Sequence, residues 1–223
     1  MHIGLIGGIG PAATEFYYRH ISAAHARAGR PLDLTIVNAD APELVANLRG
    51  DHRDRQAATF ERLTRRLQAA GAEQVAITSI AGHFCHQEFA AVSPLPMVSI
   101  VPAVHDALTA RGVTRVGLIG TTVAMASRVY GALDGFDVRV PGGDDFMATD
   151  REYLGMGTTG RVTDEHRAFF FRIGRRLYDE GAEVIVLGGT DLYLVFDGQE
   201  CGFPTVDCAL AHIDAITAQT LAG

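Results

Sequence analysis

The chain of 223 residues has no tryptophan and only three cysteines, Cys85, Cys201 and Cys208. Without an indole it has no intrinsic tryptophan fluorescence. An odd number of irregularly spaced thiols is not a disulfide framework, and it points to a reducing, cytoplasmic setting. No apolar run approaches the ~20 residues that a membrane-spanning helix needs, so no membrane partner is expected. Positive charge is in deficit: 19 Lys and Arg stand against 26 Asp and Glu, a formal net charge of -7. That argues against a general nucleic-acid binder, which needs clustered basic charge to meet phosphates. No Pro/Gly/Ser linker or low-complexity run divides the chain. The opening "MHIGLIGGIG" has no basic segment ahead of its apolar residues, and reads as a first strand rather than a signal peptide. With 48% hydrophobic and 20% charged residues, the composition is that of an ordinary globular protein.

What is present repeats. "RLTRRLQAAGAE" (62–73) matches "RIGRRLYDEGAE" (172–183) without a gap. Upstream, "IGLIG" (3–7) matches "VGLIG" (116–120), and downstream "PMVSIVPAVHDALTA" (96–110) matches "PTVDCALAHIDAITA" (204–218). Three blocks in one order mean two copies of one unit. Short, β-branched apolar segments at 2–7, 32–38, 74–79, 97–101, 114–120, 136–140, 183–188 and 204–207 read as strands buried on both faces. Helical patterns fall at 11–28, 41–48, 53–71, 102–111, 123–134, 163–181 and 208–221, with Gly71 and Gly181 placed as C-terminal caps. The expected fold is α/β: two pseudo-symmetric, doubly wound parallel-sheet halves with the site in the cleft between them. The first half takes residues 1–101 with the C-terminal helix 208–223, and the second takes 102–207.

In parallel α/β folds the chemistry sits at the carboxyl ends of the strands. "GGIGPAAT" (7–14) follows a strand and opens a helix. Its Gly8-x-Gly10-x-x-Ala13 satisfies a dinucleotide fingerprint, and Asp40 lies where a ribose-binding acid would sit. The same glycines suit a carboxylate or another small anion, since free N–H groups at a helix start hold either. Tight-turn structure alone is the third reading. "VAITSIAGHF" (75–84) and "VIVLGGTDL" (184–192) are equivalent strand ends of the repeat, so Ser79 and Gly189 are counterparts.

These residues resemble a family. "IGLIGGIGPAATEFYYRHI" (3–21) is similar to the opening of the cofactor-independent aspartate/glutamate racemases, in the aspartate racemase branch. "GAEQVAITSIAGHF" (71–84) resembles that family's first catalytic segment, which ends in Cys-Asn-Thr-Ala-His. "GAEVIVLGGTDL" (181–192) resembles the second, usually Leu-Gly-Cys-Thr-Glu. The resemblance implies two α/β halves, no cofactor and no metal, a small-molecule substrate and a homodimer.

The match departs at the reacting groups. Ser79 and Gly189 stand at the two cysteine positions. Ile80 and Ala81 replace the Asn-Thr pair that would cradle an amino-acid carboxylate. His83 and Thr190 are retained, and Asp191 stands for the usual Glu. Two-base racemisation needs thiols whose pKa can be brought near neutrality. A serine hydroxyl is a far weaker acid and needs its own base, and glycine offers no group. The expected catalytic residues are therefore Asp191, as principal acid/base, with Ser79 and His83. The expected binding residues are Gly8, Gly10, Pro11, Thr14, Arg49, Ile80, Ala81, Thr121, Thr122, Gly189 and Thr190. The function expected is cofactor-independent proton transfer (isomerisation, elimination or cyclisation) on a small organic acid or related metabolite. The alternatives are an amino-acid racemase with non-cysteine bases and a non-catalytic small-ligand binding protein, with a dinucleotide-dependent enzyme last. A metal pair at His83 and His86 lacks further ligands in the sequence.

Overall fold

The computed structural model describes residues 1–222, apart from the side chain of Thr158. The chain divides into two compact units, Met1–Ile100 with the C-terminal segment from His212, and Val101–Ala211. Among the described residues no helix is long and apolar enough to cross a membrane.

Unit 1 contains β1 (His2–Gly7), α1 (Pro11–Ala28), β2 (Asp33–Asn38), α2 (Ala41–Arg49), α3 (Arg53–Ala69) and β3 (Gln74–Ile77). A 3-10 turn (Ala81–Cys85), α4 (His86–Val92) and β4 (Met97–Val98) follow, and α5 (Ile100–Ala110) leads out of the unit. Its strands form one parallel sheet in the order β2-β1-β3-β4. The central β1 and β3 are apolar because helices cover both faces, while the edge strand β2 is half exposed. Pro11 opens α1, where its missing N–H costs nothing, and Gly29 closes it in the left-handed conformation.

Unit 2 repeats the plan with β5 (Arg115–Gly120), α6 (Thr122–Ala126), β6 (Asp137–Arg139), α7 (Asp144–Thr159), α8 (Asp164–Asp179) and β7 (Val184–Gly188). Then come α9 (Tyr193–Phe196), β8 (Thr205–Asp207) and α10 (Cys208–Ala222), whose later turns belong to unit 1. The sheet order, β6-β5-β7-β8, is parallel and matches that of unit 1. The fold class is thus two doubly wound parallel α/β sheets, as the sequence pattern implies. The repeat extends to single contacts. Leu67 of α3 packs where a side chain at Gly4 of β1 would be, and at Gly117 of β5 that place is taken by Ile185 of β7 with Leu177 of α8 at 3.1 Å. Glycine at each place lets a helix approach the sheet closely.

Beyond the short helices α4 and α9, which were not expected, two longer segments differ from the sequence expectation. The helix expected over 123–134 stops at Ala126, and Arg128, Val129 and Tyr130 follow in left-handed conformations, with φ of 52°, 56° and 55°. Helical spacing is misleading here because Val129, Ala132 and Leu133 are buried by turns rather than by a helix. Conversely, α7 was not expected. Its signals are an acidic first turn (Asp144, Asp145), a Gly160 cap and buried Thr149, Tyr153 and Met156 at helical spacing.

Candidate functional site

In unit 1 the loop after β1 is held by Thr14. Its Oγ1 accepts from the Gly8 N–H (3.1 Å) and donates to the Gly10 carbonyl (3.2 Å). It also lies 3.1 Å from Thr78 Oγ1, at the carboxyl end of β3. Gly8 has φ +88°, and Asn38 Oδ1 occupies the place a Cβ there would need. The Gly8 N–H is therefore satisfied within the loop, and the glycine answers a close approach of β2's end. Gly10 is the N-cap of α1 and carries no side-chain cap, and Pro11 is exposed at the first helical position. Asp40, placed by the fingerprint beside a ribose, spends Oδ2 on the Glu43 N–H as the cap of α2.

Ser79 follows β3 and is buried, and its Oγ makes no hydrogen bond among the described residues. Ile80 is buried beside it and Ala81 is half-buried at the start of the 3-10 turn. His83 is fully buried. Its Nδ1 donates to the Ser79 carbonyl (2.8 Å), and its Nε2 accepts from the Ile100 N–H (3.4 Å). A carbonyl can only accept, so the ring is the neutral Nδ1–H tautomer. Burial, then the neighbouring His212, pull its pKa down to about 3. His83 thus positions the backbone of Ser79. His86 spends Nδ1 on the His83 carbonyl, so the two rings do not form a pair of ligands. His212 completes the buried group: it bonds Tyr17 Oη (2.9 Å) and the Val98 carbonyl (2.8 Å) and meets the His83 ring edge-on. Arg49 lies exposed at the end of α2. Just after it, Asp51–Arg55 and Glu88 line an open pocket of about 480 Å³.

In unit 2, Thr121 caps α6 by accepting from the Ala124 N–H (3.1 Å). Thr122 donates both its N–H (2.7 Å) and its hydroxyl (3.2 Å) to Asp150 Oδ1. An internal carboxylate of α7 thus takes donors that the resemblance assigns to substrate. Gly188, which ends β7, and Gly189, Thr190 and Asp191 after it are all buried. Thr190 Oγ1 is buried and has no hydrogen-bond partner among the described residues. Tyr153 donates its hydroxyl to Asp191 Oδ2 at 3.1 Å. Burial, then the Asp191 charge, hold the phenol well above its ordinary pKa, so it stays protonated and donates. The Tyr153 ring also fills the place a side chain at Gly189 would occupy.

The structure therefore brings together Gly8, Gly10, Thr14, Ser79 and His83 at one set of strand ends, and Thr121, Thr122, Gly189, Thr190 and Asp191 at the equivalent set. Sequence reasoning missed Tyr153 and Asp150. Their placement three apart on one face of α7 is the signal that would have found them.

The Yersinia pestis crystal structure of a candidate Asp/Glu racemase is similar at 24% identity over 99% of this chain and 100% of that one, with a TM-score of 0.85. An aspartate racemase homologue from Pyrococcus horikoshii OT3 is similar at 25% identity over 100% and 99%, with a TM-score of 0.80. The Picrophilus torridus aspartate racemase shares the fold, with a TM-score of 0.81 at 15% identity over 98% and 94%. The sequence profile described as Asp/Glu/Hydantoin racemase matches residues 6–216. Spanning nearly the whole chain, that match establishes that the protein belongs to the Asp/Glu/hydantoin racemase family.

Proposed function

We propose that the protein is a cofactor-independent proton-transfer enzyme whose active site departs from the two-thiol racemases. The observation that carries this reading is Asp191, a buried carboxylate at the end of β7 held by Tyr153, beside a residue 189 without a side chain. Asp191 would remove or return a proton next to an activating carbonyl. A positioned carboxylate of this kind contributes on the order of 100-fold or more. Ser79 would bind or orient, with its backbone set by His83. Thr190, whose hydroxyl is buried without a partner among the described residues, would bind the substrate. Ile80 and Ala81 offer apolar surface where a carboxylate cradle would need donors. Asp150, by engaging Thr122, works against an anionic group there. A substrate with little negative charge fits these residues better than aspartate or glutamate. The family description itself includes hydantoin, an uncharged ring at neutral pH with an acidic C–H.

The experiment is hydrogen exchange in deuterated water, followed by NMR on aspartate, glutamate and a set of cyclic and open-chain carbon acids. Both amino acids should keep their α-proton, and an uncharged carbon acid should exchange. Asp191→Asn should slow that exchange at least ~100-fold, and Ser79→Ala less. Rapid exchange from both enantiomers of aspartate or glutamate would overturn the reading.

One observation favours a second reading, a non-catalytic small-ligand binding protein. Both ring nitrogens of His83 are engaged, and Ser79 Oγ has no base on it among the described residues. Saturable ligand binding with no exchange from any carbon acid would support it.

A further inference from the structure

Tyr153 does two things at once at the end of β7. Its hydroxyl reaches Asp191 Oδ2 at 3.1 Å, and its ring lies where a Cβ on Gly189 would have to go. It projects from the buried side of α7, with Thr149 and Met156 buried one turn to either side. Gly157, one turn further on, lies beside the same carboxylate: a Cβ there would be in ordinary van der Waals contact with Asp191 Oδ2, at 3.4 Å. The geometry points to Tyr153 as the positioning residue of this strand end: its ring takes the volume of a side chain at 189, and its hydroxyl fixes Asp191.

Two consequences follow. No side chain at 189 can supply a second acid or base while Tyr153 is present, so proton transfer here depends on Asp191. A neutral donor on Oδ2 favours the ionised carboxylate and fixes its plane. Cys208, at the start of α10, is a further titratable group near both members of this pair, and Asp207 at the end of β8 lies beside Cys208. This inference rests on Asp191 as the acid/base for its catalytic meaning, but not for its geometry.

The test is a double-mutant cycle with Gly189→Ala and Tyr153→Ala, read by thermal melting. Gly189→Ala alone should lower the Tm by roughly 5 °C, because the new methyl meets a packed ring. In the Tyr153→Ala background the same change should lower it no further. Equal losses in both backgrounds would overturn the proposal. Tyr153→Phe keeps the ring and removes only the hydroxyl, so it covers the case in which Tyr153→Ala does not fold. In protein carrying 13C-labelled aspartate, the Asp191 carboxyl signal is the one lost in Asp191→Asn. Tyr153→Phe should move its titration upward, and in turnover it should lower kcat more than it changes KM. An unmoved titration would overturn the hydroxyl's role. If the cycle and the titration hold while Asp191→Asn keeps full activity, the proton-transfer reading fails and the placement of Tyr153 stands.

Discussion

Asp191 and Tyr153 lie 38 residues apart in the chain, yet the phenol hydroxyl sits 3.1 Å from the carboxylate. That hydrogen bond couples the only acidic side chain of the "GGTDL" strand end to a helix that no strand-end motif contains. The same kind of coupling recurs one turn earlier on α7, where Asp150 accepts both donors of Thr122.

The two buried thiols, Cys85 and Cys208, should be inert. Burial and then Glu88 push Cys85 up to about 12, and burial and then Asp207 hold Cys208 well above its ordinary value. Cys201 is half-buried. Iodoacetamide at pH 8 should modify one site per native chain, Cys201, and all three after denaturation, by mass spectrometry. Activity should survive. Faster labelling of Cys208 or Cys85 would contradict the burial.

Thr190→Val separates a structural hydroxyl from a binding one. With Oγ1 buried and unpartnered, its replacement by an isosteric methyl should leave stability unchanged or raise it by about 1 kcal/mol. If substrate uses the hydroxyl, KM should rise several-fold in the same variant. A clear loss of stability would mean that the hydroxyl has a partner within the fold.

Acid should weaken unit 1 through its buried histidines. In the folded protein His83 titrates at about 3 and His212 at about 4, both pulled down from 6.5 chiefly by burial. Between those values and 6.5 the unfolded chain binds more protons, so their contribution is complete above pH 6.5 and is lost as pH falls. Each ring contributes a slope of up to about 1.4 kcal/mol per pH unit in that window. Urea midpoints measured from pH 7 to 5 should fall, and His212→Gln should flatten the fall. An identical slope in the variant would remove His212 from the account.

Arg128 is exposed and left-handed, with φ 52°. A non-glycine residue there costs about 1–2 kcal/mol, and glycine adds about 0.5–1 kcal/mol of chain entropy. Arg128→Gly should therefore raise the Tm by roughly 2 °C. A drop in Tm would show that the arginine side chain contributes more than its backbone costs.

Much of the fold was legible because its causes are local or periodic. Buried parallel strands must be continuously apolar, so β1, β3, β5 and β7 stood out in the residue pattern. Self-similar segments must build similar units, so the repeat alone pairs Ser79 with Gly189. The helix expected after Thr122 ends early, at Ala126, because the burial of Val129, Ala132 and Leu133 imitates helical spacing without a helical backbone.

By itself, the sequence determined two α/β units, the strand ends that carry polar residues, and the absence of a thiol at both equivalent positions. Those follow from residue type and order alone. Only the tertiary structure decided that His83 is locked as a neutral tautomer, that Thr122 is already engaged by Asp150, and that Tyr153 fills the room at Gly189 and holds Asp191. The physical reason is that hydrogen bonds and excluded volume act over a few ångströms between residues distant in the chain. The spacing of residues along the sequence does not encode which of them α7 brings within reach.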